Sequence, residues 1–276
     1  MESFYLFEAG SSKTTLADCS TEGVLKIDLP GVNPNRSVEE FKAALQRVFH
    51  PKNDKPVFFY GSGLASHENK AIIISLFDQW NIKSIEVFDD LLGAARALYS
   101  DEAGIMAILG TGGISAYYNG RSIVERRGGY GFLIDDLGGG YELGKVIIAA
   151  WLNNDLNSDL AHRIQEYFGV KKEEFTSWYY QRKNLKLVSD LVPLIADYKE
   201  TKETRELLLT YFKRFMHKNI LPLVEKHNMK SIKLSGSIGN AFADLITSVL
   251  EVEGLACEEI ISFPTDRLIA YHRRKP

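Results

Sequence analysis

Four short segments of this chain carry the residue types that phosphoryl chemistry uses. Glu8-Ala9-Gly10-Ser11-Ser12-Lys13-Thr14 sets glycine and serine in a tight turn between two extended runs. Backbone N–H groups and hydroxyls presented without bulk suit phosphate oxygens, and Lys13 adds a positive charge beside them. Glu8, at the end of its strand, is placed to hold magnesium through water. The spacing is not that of a P-loop, which requires Gly-x4-Gly-Lys, and on its own the segment reads more readily as an ordinary hairpin turn. Gly110-Thr111-Gly112-Gly113 repeats the pattern after a buried strand, and it too has a purely structural reading. Two such turns, each in its own domain, could clamp a triphosphate across a cleft. Asp89 and Asp90 fall between a strand and a helix. One carboxylate there serves as an N-cap, and the other is placed to accept a hydroxyl proton. Gly236-Ser237-Ile238-Gly239 makes a strand-to-helix turn that lets an adenine or ribose approach the backbone, or simply packs helix on strand.

The elements that must position these segments alternate between strand and helix. Ser3–Glu8, Thr14–Ser20 and Gly23–Pro30 read as a three-stranded meander. Ser37 and Glu40 form a capping box for a helix whose apolar face is Phe41, Ala44, Leu45 and Phe49. A buried strand over Pro56–Tyr60 ends at Gly61-Ser62-Gly63, and a helix follows to about Gln79. A strand over Ile82–Val87 and a helix over Asp90–Tyr99 complete one α/β domain, residues 1–103. A second meander follows at Gly104–Leu109, Ser115–Tyr118 and Arg121–Arg126, the trace expected of a duplicated domain. Seven glycines between 128 and 144 force a loop in which backbone lies close to something. The chain is then mainly helical to His227, with polar stretches at Lys183–Lys186 and Tyr198–Glu203. It ends in a strand (Ser231–Leu234), a helix (Ile238–Glu251), a strand (Glu258–Phe263) and a short helix (Thr265–His272). The second domain spans 104–264, and the terminal helix is expected to pack back on the first.

Bulk properties narrow the partners. A length of 276 residues suggests two cores, and a net charge of -3 offers nothing to nucleic acid or an anionic membrane surface. Cys19 and Cys257 are too few and too far apart for a disulfide framework or a zinc site. His50, His67, His162, His217, His227 and His272 show no ligand spacing and read as surface or satisfied core residues. Trp80, Trp151 and Trp178 read as packing, and Arg273-Arg274-Lys275 as a solvated tail. With no signal peptide pattern and no apolar run long enough to span a bilayer, the expected location is the cytoplasm.

Taken in order, the segments resemble the BadF/BadG-type ATPase and N-acetylglucosamine kinase family of the actin-like ATPase superfamily. Glu8–Thr14 looks like its first phosphate turn, Ile108–Gly113 its second, Phe88–Arg96 the segment bearing its catalytic aspartate, and Leu234–Gly239 its adenosine turn. The resemblance implies two ribonuclease H-like α/β domains with a nucleotide cleft between them, ATP and Mg2+, and phosphorylation of a sugar hydroxyl, best matched by an amino sugar. It gives Asp90 the role of base and assigns nucleotide contacts to Gly10, Ser11, Ser12, Lys13, Gly110, Thr111, Gly112, Gly113, Gly236, Ser237 and Gly239. Asn33, in Gly31-Val32-Asn33-Pro34, falls on the sugar with Ser62, Gly129, Tyr130 and Asp136, and a homodimer is implied. The chain departs from the pattern at Glu8, where the family has Asp, and at Ile114, where it carries a sugar-binding Asn. It departs again at Asp135 and Leu137, in place of Gly and Glu. Hydrogen bonds lost to a sugar are costly. The other reading is therefore a nucleotide-binding regulator of the same fold that has lost sugar phosphorylation. A third, an ATPase that activates another enzyme through a cysteine-ligated cluster, is disfavoured by two dispersed cysteines.

Overall fold

The computed structural model describes residues 3–35, 37–52, 55–182 and 185–274. The chain divides into two compact units. The first is Met1–Ala103 with Asn119–Ile123 and Phe263–Pro276, and the second is Gly104–Tyr118 with Val124–Ser262.

In the first unit β1 (Phe4–Ala9), β2 (Lys13–Cys19) and β3 (Val24–Pro30) form the meander. They are followed by α1 (Glu39–Val48), β4 (Val57–Gly61), α2 (His67–Ser75), β5 (Ile85–Asp89) and α3 (Asp90–Tyr99). The sheet order is β3-β2-β1-β4-β5. β1 runs antiparallel to β2, with Glu8 opposite Thr15, and parallel to β4, with Ala9 opposite Gly61. β4 runs parallel to β5, with Gly61 opposite Asp89. Three strands therefore end level, and the residues that follow them emerge along one edge, where ligands of open α/β sheets bind.

One face of this sheet is sealed by aromatics. Phe7 lies with its ring centroid 5.3–6.4 Å from those of Phe41, Phe49, Phe59 and Phe77, and all five are buried. On the other face, the C-terminal helix (Thr265–Arg274) packs with α3. Tyr60 accepts a hydrogen bond from Arg96 at 2.8 Å and bonds His272 at 2.8 Å. His272 is thus a satisfied core histidine.

The second unit begins with β6 (Ala103–Leu109), β7 (Gly113–Asn119) and β8 (Ile123–Gly128). Helices α4 (Gly140–Asn153), α5 (Ser158–Phe168), α6 (Lys172–Arg182), α7 (Leu185–Ser189), α8 (Val192–Asp197), α9 (Lys202–Phe215) and α10 (Leu221–His227) follow. The unit closes with β9 (Ser231–Ser235), α11 (Ser237–Ala241), α12 (Ala243–Val252) and β10 (Ala256–Ile261). The sheet order is β10-β9-β6-β7-β8. Counted within the unit, this is the order of the first sheet over again, so the duplication expected from the element pattern is present as topology. A core of Leu109, Leu143, Ile147, Trp151, Phe212, Phe215, Leu234 and Phe242 joins the sheet to its helices.

Several boundaries differ from expectation. Val38, not Ser37, caps α1 and makes no side-chain cap; Ser37 Oγ instead accepts from Glu39 N at 3.3 Å, so the capping box does not form. The helix expected to run to Gln79 stops at Ser75, and a separate turn of 3-10 helix covers Asp78–Trp80. The helix expected over Ile238–Glu251 breaks at Phe242, whose ring is buried in the core. The polar stretch at 183–186 lies partly outside the described residues, and the one at 198–203 is shortened by α9. Arg273 belongs to the C-terminal helix and donates to Ser20 O at 3.2 Å, so it is not tail; Lys275 lies outside the described residues. Both cysteines are free, Cys19 buried and Cys257 partly so. No helix among the described residues is long and apolar enough to cross a membrane.

Phe7 sits at the centre of the aromatic cluster. Phe7→Ala is expected to destabilise the protein by about 3–5 kcal/mol, the usual cost of emptying a large aromatic site, as read by chemical denaturation followed by tryptophan fluorescence.

Candidate functional site

In the first unit the level strand ends gather most of the residues expected to act. The turn after β1 closes with Gly10 N donating to Lys13 O at 2.8 Å, and Gly10 O accepts from Val32 N at 3.2 Å. Ser62, just past β4, donates its N–H to Ala9 O at 3.1 Å. Its hydroxyl lies 3.2 Å from that of Ser11. The loop carrying Asn33 is thereby tied to the first turn, and the first turn to Ser62. Lys13 is the exception. Its ammonium pairs with Asp28 at 2.9 Å and lies 5.9 Å from the Phe263 ring centroid.

The two aspartates divide their roles as the sequence requires. Asp89 caps α3, its Oδ1 accepting from Leu92 N at 2.7 Å. Asp90, the first residue of the helix, is left with a carboxyl pushed up to about 7, first by burial and then by the negative charge of Asp89. Glu8 contributes to that rise as well. Its own carboxyl is also raised, because burial outweighs the hydrogen bond from Thr265 and the charge of Lys13. Thr265 opens the C-terminal helix, is buried, and donates to Glu8 Oε2 at 3.3 Å.

Among the described residues, no group of three or more His, Cys, Asp or Glu could hold a metal ion. A hard cation held entirely by protein ligands is thus not built here. The carboxyls present, Glu8 and Asp90, near enough for the charge of Glu8 to raise Asp90, fit magnesium held through water and substrate phosphates, its usual mode.

In the second unit three glycine segments close on one another. Gly110 N donates to Gly112 O at 3.0 Å, Gly140 N to Gly110 O at 2.8 Å, and Tyr141 N to Thr111 O at 3.2 Å. A Cβ on Gly113 would sit 2.2 Å from Leu137 O, so no side chain fits there. Asp136 reaches the same turn, with Oδ1 only 2.8 Å from where a Cβ on Gly112 would stand. Gly236 N donates to Ile261 O at 2.8 Å at the mouth of α11, whose first residues are Ser237, Ile238 and Gly239. Gly239 is buried, and a Cβ there would meet Ile260 and Leu109 at ordinary contact distance, 3.8 Å.

Tyr130 stands apart from this cluster on an exposed hairpin, closed by Tyr130 N donating to Asp135 O at 2.9 Å. Gly129 lies against the Ile114 side chain.

The departures from the family pattern acquire structural work. Asp135 pairs with Lys218 at 2.8 Å. Leu137 is buried in the core. Ile114 supports the backbone of Gly129.

Two contributors were not legible as such. The Tyr211 hydroxyl accepts from Gly138 N and donates to Gly139 O, both at 2.9 Å, and so holds the loop that backs the second turn. It comes from α9, some seventy residues away, with no local signal. Thr265 follows a proline at a helix start, which marks the element but not its partner.

Paired sheets of repeated order, each with a glycine turn after its first strand, define the two-domain fold of sugar kinases and actin-like ATPases. The chain is similar over 99% of its length to 99% of a candidate N-acetylglucosamine kinase from Porphyromonas gingivalis, at 25% identity and a TM-score of 0.90. A candidate N-acetylglucosamine kinase from Chromobacterium violaceum matches 97% of this chain with 98% of its own, at 17% identity and a TM-score of 0.72. A ROK family glucokinase from Streptomyces griseus, solved with glucose and AMPPNP, matches 98% with 97% of its own at 12% identity and a TM-score of 0.57. These last two share the fold. No family model and no curated protein sequence matches the chain. The resemblance read from the ordered motifs is borne out by the full-length structural similarity.

Removing the Tyr211 hydroxyl takes away the partner of the Gly138 N–H, while Gly139 O keeps its bond from Leu143 N at 3.0 Å. Tyr211→Phe is expected to cost about 1–3 kcal/mol, measured as a lowered midpoint of chemical denaturation.

Proposed function

We propose that the protein transfers the γ-phosphoryl group of ATP to a hydroxyl of a sugar, with an amino sugar such as N-acetylglucosamine as the preferred acceptor. The observation that carries this reading is Asp90. Asp89 caps Leu92 N, and the Asp90 carboxyl, oriented at the sheet edge by the backbone N–H groups of Leu91 and Asp90, has a pKa near the operating pH, where a general base is most effective.

The chemistry divides among the chain's own groups. The N–H groups and hydroxyls of Gly10, Ser11 and Ser12, and those of Gly110, Thr111, Gly112 and Gly113, bind phosphate oxygens. Gly236, Ser237 and Gly239 receive the adenosine. Lys13 leaves Asp28 to join the phosphates. Asn33, Ser62, Gly129, Tyr130 and Asp136 hold the sugar. Asp90 takes the proton of the acceptor hydroxyl as its oxygen bonds to the γ-phosphorus and the bond to the bridging oxygen breaks, releasing ADP. Positioning and charge neutralisation supply most of the rate in such transfers. Glu8, oriented by Thr265, would hold magnesium through water, and the ion would neutralise charge on the phosphates. Such a reaction draws on ATP and so belongs in the cytoplasm.

Four measurements test this. A screen of hexoses and N-acetylhexosamines with Mg-ATP should yield a phosphorylated product; nucleotide binding with no product from any sugar would sink the proposal. Asp90→Asn should lower kcat by roughly 10²–10⁴-fold while nucleotide affinity is kept. Wild-type kcat/KM should fall on the acid side through an inflection near pH 7, as Asp90 takes up a proton. Because the folded protein holds this carboxyl above its unfolded pKa, ionising Asp90 destabilises the fold as pH rises toward and through 7. Asp90→Asn should therefore gain more in Tm over the wild type at pH 8 than at pH 5.

A further inference from the structure

Three asparagines meet around one glycine beside the residues assigned to the acceptor. Gly63 has a φ of +77°, and a Cβ there would lie 2.5 Å from Asn33 Oδ1 and 2.9 Å from Asn35 Nδ2, so the Asn33 loop rests directly on the backbone at 63. Asn33 Oδ1 accepts from Asn35 N at 3.0 Å, and Asn33 O accepts from Ser37 N at 3.1 Å. With its oxygen engaged by the backbone, the Asn33 amide is oriented and presents its N–H2 group as a donor. Asn69, from the first turn of α2, completes the arrangement. Its Nδ2 donates to Gly63 O at 2.7 Å and to Asn35 Oδ1 at 2.9 Å. One side chain thus ties the loop of residues 33–35 to the turn of residues 61–63. Through Ser62 Oγ, 3.2 Å from Ser11 Oγ, that turn reaches the first phosphate turn.

We propose that Asn69 is a positioning residue for the sugar subsite. It holds Asn33 and Ser62 in fixed relation, so that the Asn33 amide donates to a hydroxyl or acyl oxygen of the acceptor. This rests on the sugar-kinase reading above. Backbone bonds tie each segment separately to β1 and the turn after it, Val32 N to Gly10 O and Ser62 N to Ala9 O, and Asn69 bridges the two segments directly. The two segments follow different strands, and Asn69 supplies both side-chain hydrogen bonds that join α2 to them. An acceptor recognised in this way carries an oxygen acceptor beside the hydroxyl that is phosphorylated, a feature shared by hexoses and N-acylated amino sugars. Loosening Asn69 should weaken sugar binding and leave the nucleotide side unaffected, because no phosphate-binding group touches it.

The test is steady-state kinetics of Asn69→Asp and Asn35→Ala, varying ATP and, separately, the sugar that the wild type phosphorylates best. Asn69→Asp keeps the shape of the side chain and removes both donors. Its sugar KM should rise roughly tenfold, the effect of two lost hydrogen bonds, with the KM for ATP within about twofold of wild type. Asn35→Ala removes one acceptor and should raise the sugar KM about threefold. Because Asn35 is exposed, this second variant carries the test if Asn69→Asp does not fold. An unchanged sugar KM in a folded variant, or an equal rise in both KM values, would overturn the proposal while the kinase reading stands. A wild type that phosphorylates no sugar overturns that reading and this inference with it.

Discussion

The parallel register of β1, β4 and β5 is the constraint on which the first unit's site depends. Ala9, Gly61 and Asp89 lie side by side, and whatever follows each strand must therefore emerge at the same level. That one alignment brings the turn at Gly10–Lys13, the hydroxyl of Ser62 and the carboxyl of Asp90 to a common edge. A slip of a single residue in β4 would turn Phe59 out of the aromatic core and move Ser62 away from Ser11, so the register that fills the core is also the one that assembles the site. The geometry of the candidate site and the packing of the core are specified by the same hydrogen bonds.

Electrostatics follow from that placement. Bringing Glu8 and Asp90 to one sheet edge raises both carboxyls, since each is desolvated and Asp90 also feels the charges of Asp89 and Glu8. Such a concentration of negative charge opposes folding above neutral pH. It is tolerated because neighbouring elements over-determine it. Asp89 is committed to α3 as its cap, Thr265 donates to Glu8, and the C-terminal helix is anchored through His272 to Tyr60 and Arg96. The second unit solves a different problem. Its turns approach so closely that only glycine fits at 113, and Tyr211 satisfies the backbone that this crowding leaves without a strand partner.

Much of the fold was legible because its signals are local. Short continuous apolar runs marked β1, β4 and β6, glycine runs marked the turns, and the start of α3 at Asp90 follows from two acids before an apolar helix. Errors fell where tertiary contacts override local pattern. Ser37 and Glu40 have the spacing of a capping box, yet Ser37 is held by the backbone of Asn33 and the helix begins after it. The periodic run from 238 to 251 breaks because the Phe242 ring is drawn into the core. Asp135 and Leu137 looked like losses from a substrate loop. Only their partners, Lys218 and the core around Leu109, reveal them as structural residues.

By itself the sequence determined the order of strands and helices, the repeated meander, and the glycine turns and acid pair that point to phosphoryl transfer. All of these are set by residue types within a few positions of one another. Which aspartate is freed, what holds Glu8, where Lys13 rests and how Asn33 is aimed were decided by tertiary structure alone. Each depends on a partner tens to hundreds of residues distant, or on which of two neighbouring side chains reaches a helix N–H. Such pairings are selected by sheet register and packing, which no local pattern encodes.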